Sequence, residues 1–318
     1  MDITSSNALP YRVGILALPG FALMSYACTV EPLRAANLLA RKPLYELTHF
    51  GETPDVKSSG VARLDCSNDL AAAADLDLLL VVAGGAPETF DNPHVLTWLK
   101  RLARRGVTLG GVSGGPVVLA NAGVMAGRRM TVHWEHALAL SELHPDLLIE
   151  RRLYLMDRDR VTCGGGTAPL DLMHALITEH HGAAFARQIS DWFLHTGIRA
   201  AAEPQRSGLA ERLGVQSPRV LDVVAAMEDH VADPLTLPQL AMISGVTSRQ
   251  LNRLFKDAFG ETTMAYYRKL RLDIAMRLIG ATPMLISDIA DATGFSSAAH
   301  FSQVFSKETG VSPKAYRQ

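Results

Sequence analysis

Leu237-Pro-Gln-Leu-Ala-Met-Ile-Ser-Gly-Val-Thr-Ser-Arg-Gln-Leu-Asn-Arg-Leu-Phe-Lys256 is written as two short amphipathic helices around a glycine turn. Leu240, Ala241 and Ile243 form the inner face of the first helix, Gly245-Val246 makes the turn, and Thr247 is placed to cap the second helix. In that second helix Leu251, Leu254 and Phe255 form the buried stripe. Ser248, Arg249, Gln250, Asn252 and Arg253 then face outward near its N-terminus. This is helix-turn-helix spacing, and outward Arg, Gln and Asn side chains there carry the donors and acceptors that base edges and phosphates require.

The same grammar returns in Ile286-Ser-Asp-Ile-Ala-Asp-Ala-Thr-Gly-Phe-Ser-Ser-Ala-Ala-His-Phe-Ser-Gln-Val-Phe-Ser-Lys307. Here Phe301, Val304 and Phe305 supply the buried stripe, while Ser297, Ala298, His300 and Gln303 point outward. His300 reads either as a phosphate contact or as a solvated side chain. A long helix over Thr263 to Ile279, carrying Arg268, Lys269 and Arg271, joins the two units. As a rigid spacer it would set both recognition helices into successive major grooves, ~34 Å apart. A single segment of this kind could equally be a helical hairpin in an enzyme core, but a duplicated one argues for a reader of double-stranded operator DNA.

The rest of the chain must hold a second function. Its 318 residues point to about two domains, each large enough for its own core. A hydrophobic content of 48% with 20% charged residues is ordinary globular composition, and no apolar run approaches the ~20 residues that span a bilayer. Met1 to Pro10 lacks the basic start and apolar stretch of a secretory signal, so the cytoplasm is expected. Cys28, Cys66 and Cys163 are odd in number and widely spaced, which suits neither a disulfide framework nor a metal site. Neither a phosphate-binding glycine motif nor metal-ligand spacing occurs, so we expect no cofactor. The net charge of −1 hides an asymmetry: 10 Lys and Arg against 6 Asp and Glu from Gly245 to Gln318, leaving 21 against 26 upstream. That surplus is compatible with phosphate binding without requiring it.

Upstream, short apolar runs alternate with helical periods: Tyr11 to Leu18 then Ser25 to Ala40, Leu76 to Val82 then His94 to Arg105, Val107 to Val112 then Pro116 to Ala122. Such alternation predicts a parallel sheet covered by helices, and Leu78-Leu-Leu-Val-Val82 is apolar on both faces, as a doubly covered strand must be. Helices follow over Pro169 to Glu179 and Ala183 to His195. The pattern dissolves into breaker-rich sequence after Arg199, which places an α/β domain over 1–200, a linker over 201–218 and an all-α domain over 219–318.

Gly111-Val-Ser-Gly-Gly115, at a strand end opening a helix, fits the nucleophile elbow Gly-x-Ser-x-Gly. The helix N-terminus behind Ser113 offers backbone donors that suit an oxyanion or a carboxylate equally. A serine hydrolase would need a base from His133, His136, His174, His180 or His181, with Asp171 as its orienting group. With eleven histidines in the chain, such a match arises easily by chance. Cys163 beside the Gly164-Gly-Gly166 turn has no basic neighbour in sequence and reads as structural.

Two resemblances sharpen this picture. Gly294-Phe-Ser-Ser297, Phe301, Phe305, Gly310, Ser312-Pro313 and Tyr316-Arg317 resemble the signature of AraC-type transcription regulators, over Arg219 to Arg317. In that family the first unit usually makes the stronger base contacts, which implies Arg249, Gln250 and Arg253 as the leading specificity residues. The elbow, Glu31-Pro-Leu-Arg-Ala-Ala-Asn37, Val132-His-Trp-Glu135 and Gly164-Gly-Gly-Thr-Ala-Pro-Leu-Asp171 resemble the PfpI, or class I glutamine amidotransferase-like, family over Tyr11 to His195. That resemblance implies an α/β sandwich of flavodoxin-like type. The family's enzymes carry a cysteine at the elbow; here a hydroxyl stands at Ser113, and it cannot replace a thiolate without a dedicated base.

The fusion of both parts, as in GlxA-like regulators, implies an effector pocket that has lost catalysis, hence no enzyme. By the same resemblance the pocket is drawn from Glu31, Gly84, Gly85, Ser113, Gly114, His133 and Trp134. A quaternary amine such as carnitine or betaine, or an amino acid, would place its carboxylate on the Ser113 and Gly114 amides. Its cationic head would face Glu31 and an aromatic wall from Trp134, with Phe21 or Tyr26 as further members. Core packing is the alternative reading of Trp134 and Phe21. The implied partners are operator DNA, the small-molecule effector, RNA polymerase and a second copy of the chain in a homodimer. The implied role is that of an activator.

Overall fold

The structure is a computed structural model and describes residues 9–66, 70 and 75–317. The opening segment, read above as lacking a secretory signal, lies outside the described residues as far as Ala8. Two compact units divide the chain at Gln205. In the first, strands β1 (Tyr11–Ala17) and β2 (Tyr45–Phe50) enclose helix α1 (Leu23–Ala40), and β3 (Asp55–Lys57) pairs with β4 (Arg63–Asp65) as a side hairpin. There follow β5 (Leu78–Ala83), α2 (Pro93–Arg104), β6 (Thr108–Ser113) and α3 (Gly115–Asn121). Next come β7 (Arg129–Met130), α4 (Trp134–Leu143), β8 (Leu148–Ile149), β9 (Tyr154–Asp157), β10 (Arg160–Cys163), α5 (Ala168–His181) and α6 (Ala183–Trp192).

The main sheet runs β2-β1-β5-β6-β10-β9, parallel throughout except for β9, which is antiparallel to β10. Every residue of β5 is buried, because helices cover both faces. On one face Leu33 of α1, Leu172 and Ile177 of α5 and Phe185 of α6 join the core; on the other, Trp98 and Leu99 of α2 and Val118 of α3 do so. The chain leaves β1 for β2 on one side and returns to β5 on the other. Such a reversal opens a crevice at the carboxyl ends of the strands, where open α/β sheets bind ligands.

Residues 201–218, expected to be a linker, carry structure at both ends. Ala201 O accepts a hydrogen bond from Leu153 N at 3.1 Å, and Gln205 is tied into the first unit by its side chain. Helix α7 (Leu209–Leu213) then lays Leu209 and Leu213 on the core of the second unit. Apolar side chains among the breakers give this stretch something to bury.

The second unit is all-helical: α8 (Pro218–Asp229), α9 (Leu237–Ile243), α10 (Ser248–Phe259), α11 (Thr263–Ala281), α12 (Ile286–Ala292), α13 (Ala298–Thr309) and α14 (Pro313–Tyr316). Val220, Val223, Val224 and Met227 of α8 pack with Leu240, Leu251, Phe255 and Tyr267 in one core. Ile243, expected inside, is 46% exposed. The helix ends there, and Ser244 takes the inward position one turn after Leu240, its hydroxyl donating to Ala241 O at 3.1 Å.

Candidate DNA-reading surface and effector pocket

Helix α10 begins with a reciprocal cap. Thr247 Oγ1 accepts from Gln250 N at 3.3 Å, and Gln250 Oε1 accepts from Thr247 N at 3.0 Å. The cap occupies the carbonyl oxygen of the exposed Gln250 side chain. Asn252, expected to face outward, is half-buried: its Oδ1 accepts from Thr263 N at 3.1 Å and caps the start of α11. Ser248 is also half-buried. Arg249 and Arg253 are exposed, and among the described residues neither has a hydrogen-bond or ion-pair partner. In α13, Ser297 is the N-cap, its Oγ accepting from His300 N at 3.2 Å. His300 is exposed yet held, with Nδ1 3.1 Å from Ser296 Oγ and its ring set edge-on to Phe295. Gln303 is exposed.

Ser113 ends β6 in the left-handed region, at φ 60°, and is 9% exposed. The glycines of the motif make that turn possible. A Cβ on Gly111 would lie 2.4 Å from Pro116 N, and one on Gly115 would lie 1.9 Å from Val81 O. Other strand ends crowd the elbow: Gly165 after β10 meets Ser113, Pro87 meets Gly114, and Gly84 after β5 meets Gly20 O after β1. Gly114 N–H, expected to be open to a carboxylate, donates instead to Ala83 O at 3.2 Å. Gly85 is exposed at φ 67°, and among the described residues no hydrogen bond occupies its N–H. Buried Ser25, which sequence reasoning missed, accepts from Gly166 N at 2.9 Å and so ties α1 to the elbow's neighbour.

His133 caps α4, with Nδ1 accepting from Glu135 N at 3.4 Å, and its ring lies 5.3 Å from that of Trp134. Burial lowers the His133 pKa, so the imidazole is neutral near pH 7. Beneath it His136 Nδ1 lies 2.7 Å from Oε1 of the buried Glu88, outside good hydrogen-bond directionality. Gln205, a second missed residue, pins this loop. Its Oε1 accepts from Trp134 N at 2.9 Å, and its Nε2 donates to Val132 O at 2.9 Å and Thr131 Oγ1 at 3.1 Å. The same side chain fills the space a Cβ on Gly164 would need. Glu31 stands apart: its carboxylate, 41% exposed, accepts from Arg34 at 2.6 and 2.8 Å along the surface of α1.

A hydrolytic triad is not assembled among the described residues. Among the described residues no histidine hydrogen-bonds Ser113 Oγ. His174 Nδ1 meets Ser190, His180 Nδ1 meets Tyr45, and Asp171 is shared between His195 Nε2 at 2.9 Å and Arg199. Burial pushes the Cys163 thiol up to about 12, which keeps it protonated. No group of His, Cys, Asp and Glu among the described residues is placed to hold a metal ion, and no helix among them is long and apolar enough to cross a membrane.

Residues 12–179 match the DJ-1/PfpI family, and residues 240–318 match a helix-turn-helix domain. Across 100% of the chain and 99% of the relative, the sequence is 42% identical to the HTH-type transcriptional regulator GlxA of Rhizobium meliloti (strain 1021). The chain belongs to the AraC-type regulators that carry a DJ-1/PfpI domain. It is 39% identical to another HTH-type transcriptional regulator, CdhR of Pseudomonas aeruginosa, over 95% of the chain and 90% of that protein. A crystal structure of an AraC family transcriptional regulator from Pseudomonas putida is 29% identical, covers 58% of the chain and all of its own, and superposes with a TM-score of 0.53. AraC-type regulators of this layout are DNA-binding transcription regulators, and the protein is a regulator rather than an enzyme.

Proposed function

We propose that the protein activates transcription in the cytoplasm in response to a small zwitterion bound at the elbow, either a quaternary amine of the carnitine or betaine kind or a free amino acid. The observation that carries this reading is Ser113. A non-glycine residue held in the left-handed region costs on the order of 1–3 kcal/mol, and here no catalytic base repays it. A pocket retained for binding does.

In this proposal the ligand carboxylate meets Ser113 Oγ and the Gly85 amide, in place of the occupied Gly114 amide. The cationic head faces Trp134, where cation–π attraction is worth about 0.5–2 kcal/mol, and a neutral His133 does not repel it. Glu31 meets such a cation only by exchanging it for Arg34. Gln205 links the pocket loop to the chain entering the reader, so occupancy reaches the point where the two units are joined. A homodimer and contact with RNA polymerase complete the regulatory unit. The ligand must prefer one state of the protein, and couplings of this kind are commonly worth about 1–3 kcal/mol.

Thermal melts of the full chain with glycine betaine, carnitine and arginine test this. Binding raises the melting temperature through RT ln(1 + [L]/Kd), and Trp134→Ala should reduce the rise. A panel that moves no melt, or a rise that Trp134→Ala leaves untouched, sinks the proposed pocket.

A further inference from the structure

Each helix-turn-helix turns on a glycine at positive φ, 64° at Gly245 and 68° at Gly294, but the two glycines live in different surroundings. Nothing lies within 4 Å of a Cβ built on Gly245. One built on Gly294 would lie 2.5 Å from Pro234 Cγ and 2.6 Å from Val231 O. Val231 and Pro234 belong to the connection between α8 and α9, which leads into the first helix-turn-helix. The second turn is therefore packed directly on the chain that enters the first helix-turn-helix.

The connecting helix holds both sides of that contact with two residues one turn apart. Tyr267, fully buried, donates its hydroxyl to His230 O and accepts from Leu235 N at 3.4 Å, at the two ends of the same connection. Arg271 donates Nη1 to Gly294 O at 2.6 Å and to Thr293 O at 3.2 Å, the last carbonyls around the end of α12. Its guanidinium also lies 4.7 Å from the centroid of the Phe295 ring and 5.6 Å from that of Tyr267. The group is drawn out of water, as its lowered pKa and its buried, unpartnered Nε both register. A cation on a helix of a DNA-binding domain would ordinarily be kept exposed for phosphate. This one is spent inside the protein.

We propose that Arg271 is a positioning residue for DNA recognition: with Tyr267 and Gly294 it clamps the second helix-turn-helix to the first, and so sets the single spacing at which one chain accepts two half-sites. The connecting helix alone fixes a distance along its axis. Rotation of the second helix-turn-helix about that axis is stopped by the clamp. An arginine suits the place because its planar fork donates to two carbonyls while its face stacks on two rings, which a lysine cannot do at once.

The test needs no known operator. Full-length protein is used to select binding sites from a random duplex library, and the spacing between the two selected half-motifs is read out. Wild type should return a bipartite site of one spacing. Arg271→Ala should return the same two half-motifs spread over at least two further spacings, with about tenfold weaker binding to the wild-type site and unchanged binding to an isolated first half-site. Arg271→Lys should fall between. A cap variant of the first helix-turn-helix, Thr247→Ala, loses stability without touching the clamp and should keep one spacing. If Arg271→Ala does not fold, Tyr267→Phe, which removes only the hydroxyl, must show the broadened spacing. A single spacing in the folded Arg271 or Tyr267 variant, equal broadening in Thr247→Ala, or a wild-type site with only one half-motif would each overturn the proposal.

Discussion

The two helix-turn-helix units share a sequence pattern and differ in their surroundings. The first carries two exposed, unpartnered arginines on its recognition helix; the second offers His300 and Gln303 there, with His300 already held by Ser296. The first has an open turn at Gly245, while the second has a turn wedged against its neighbour and clipped by Arg271. On the proposed reading, one helix-turn-helix supplies contact strength and the other supplies geometry. An exposed turn costs a domain little, whereas a packed one fixes where its helix points.

Removing the arginines should have the largest effect. Arg249→Ala with Arg253→Ala should weaken operator binding by about thirtyfold or more, since each contact of this kind is worth about 1–3 kcal/mol. His300→Ala with Gln303→Ala should cost less than tenfold at the same salt concentration. Titrations giving equal losses would erase the division of labour.

The turn glycines come next. Gly294→Ala adds an overlap with Val231 O to the left-handed penalty and should destabilise the reader by about 3 kcal/mol or more. Gly245→Ala meets only the backbone penalty, about 1–2 kcal/mol. Denaturant melts of both variants check the order; a reversal would mean that the second turn is not packed as described. Smaller again are the caps. Thr247→Ala and Ser297→Ala should each cost about 1 kcal/mol, with Thr247→Ala the costlier because the Thr247 hydroxyl also donates to Gln250 Oε1 at 3.0 Å. Asn252→Ala should cost a similar ~1 kcal/mol in stability and leave operator affinity nearly unchanged. A large affinity loss there would return Asn252 to the DNA-reading set.

Much of this architecture is written in local pattern. Leu78 to Val82 announces a buried strand because helices must cover both its faces, and the elbow is legible because Gly111 and Gly115 have no room for a Cβ. The stripes ending in Phe255 and Phe305 mark recognition helices because burial follows helical period. Polar roles were less legible. Glu31 looks like a pocket acid until Arg34 is seen beside it, and Asn252 looks like a base reader until Thr263 N is seen to use its oxygen. Ser25 and Gln205 carried no motif at all.

From the residues in order one obtains two classes of domain, a doubled reader and an elbow without its cysteine. Each rests on spacing within a few turns of chain and on burial, which has no direction. Which polar side chains remain available to a ligand or to DNA was decided only by the tertiary structure. A hydrogen bond needs its partner at the right distance and angle, and Gln205 finds Thr131, Val132 and Trp134 more than seventy residues upstream.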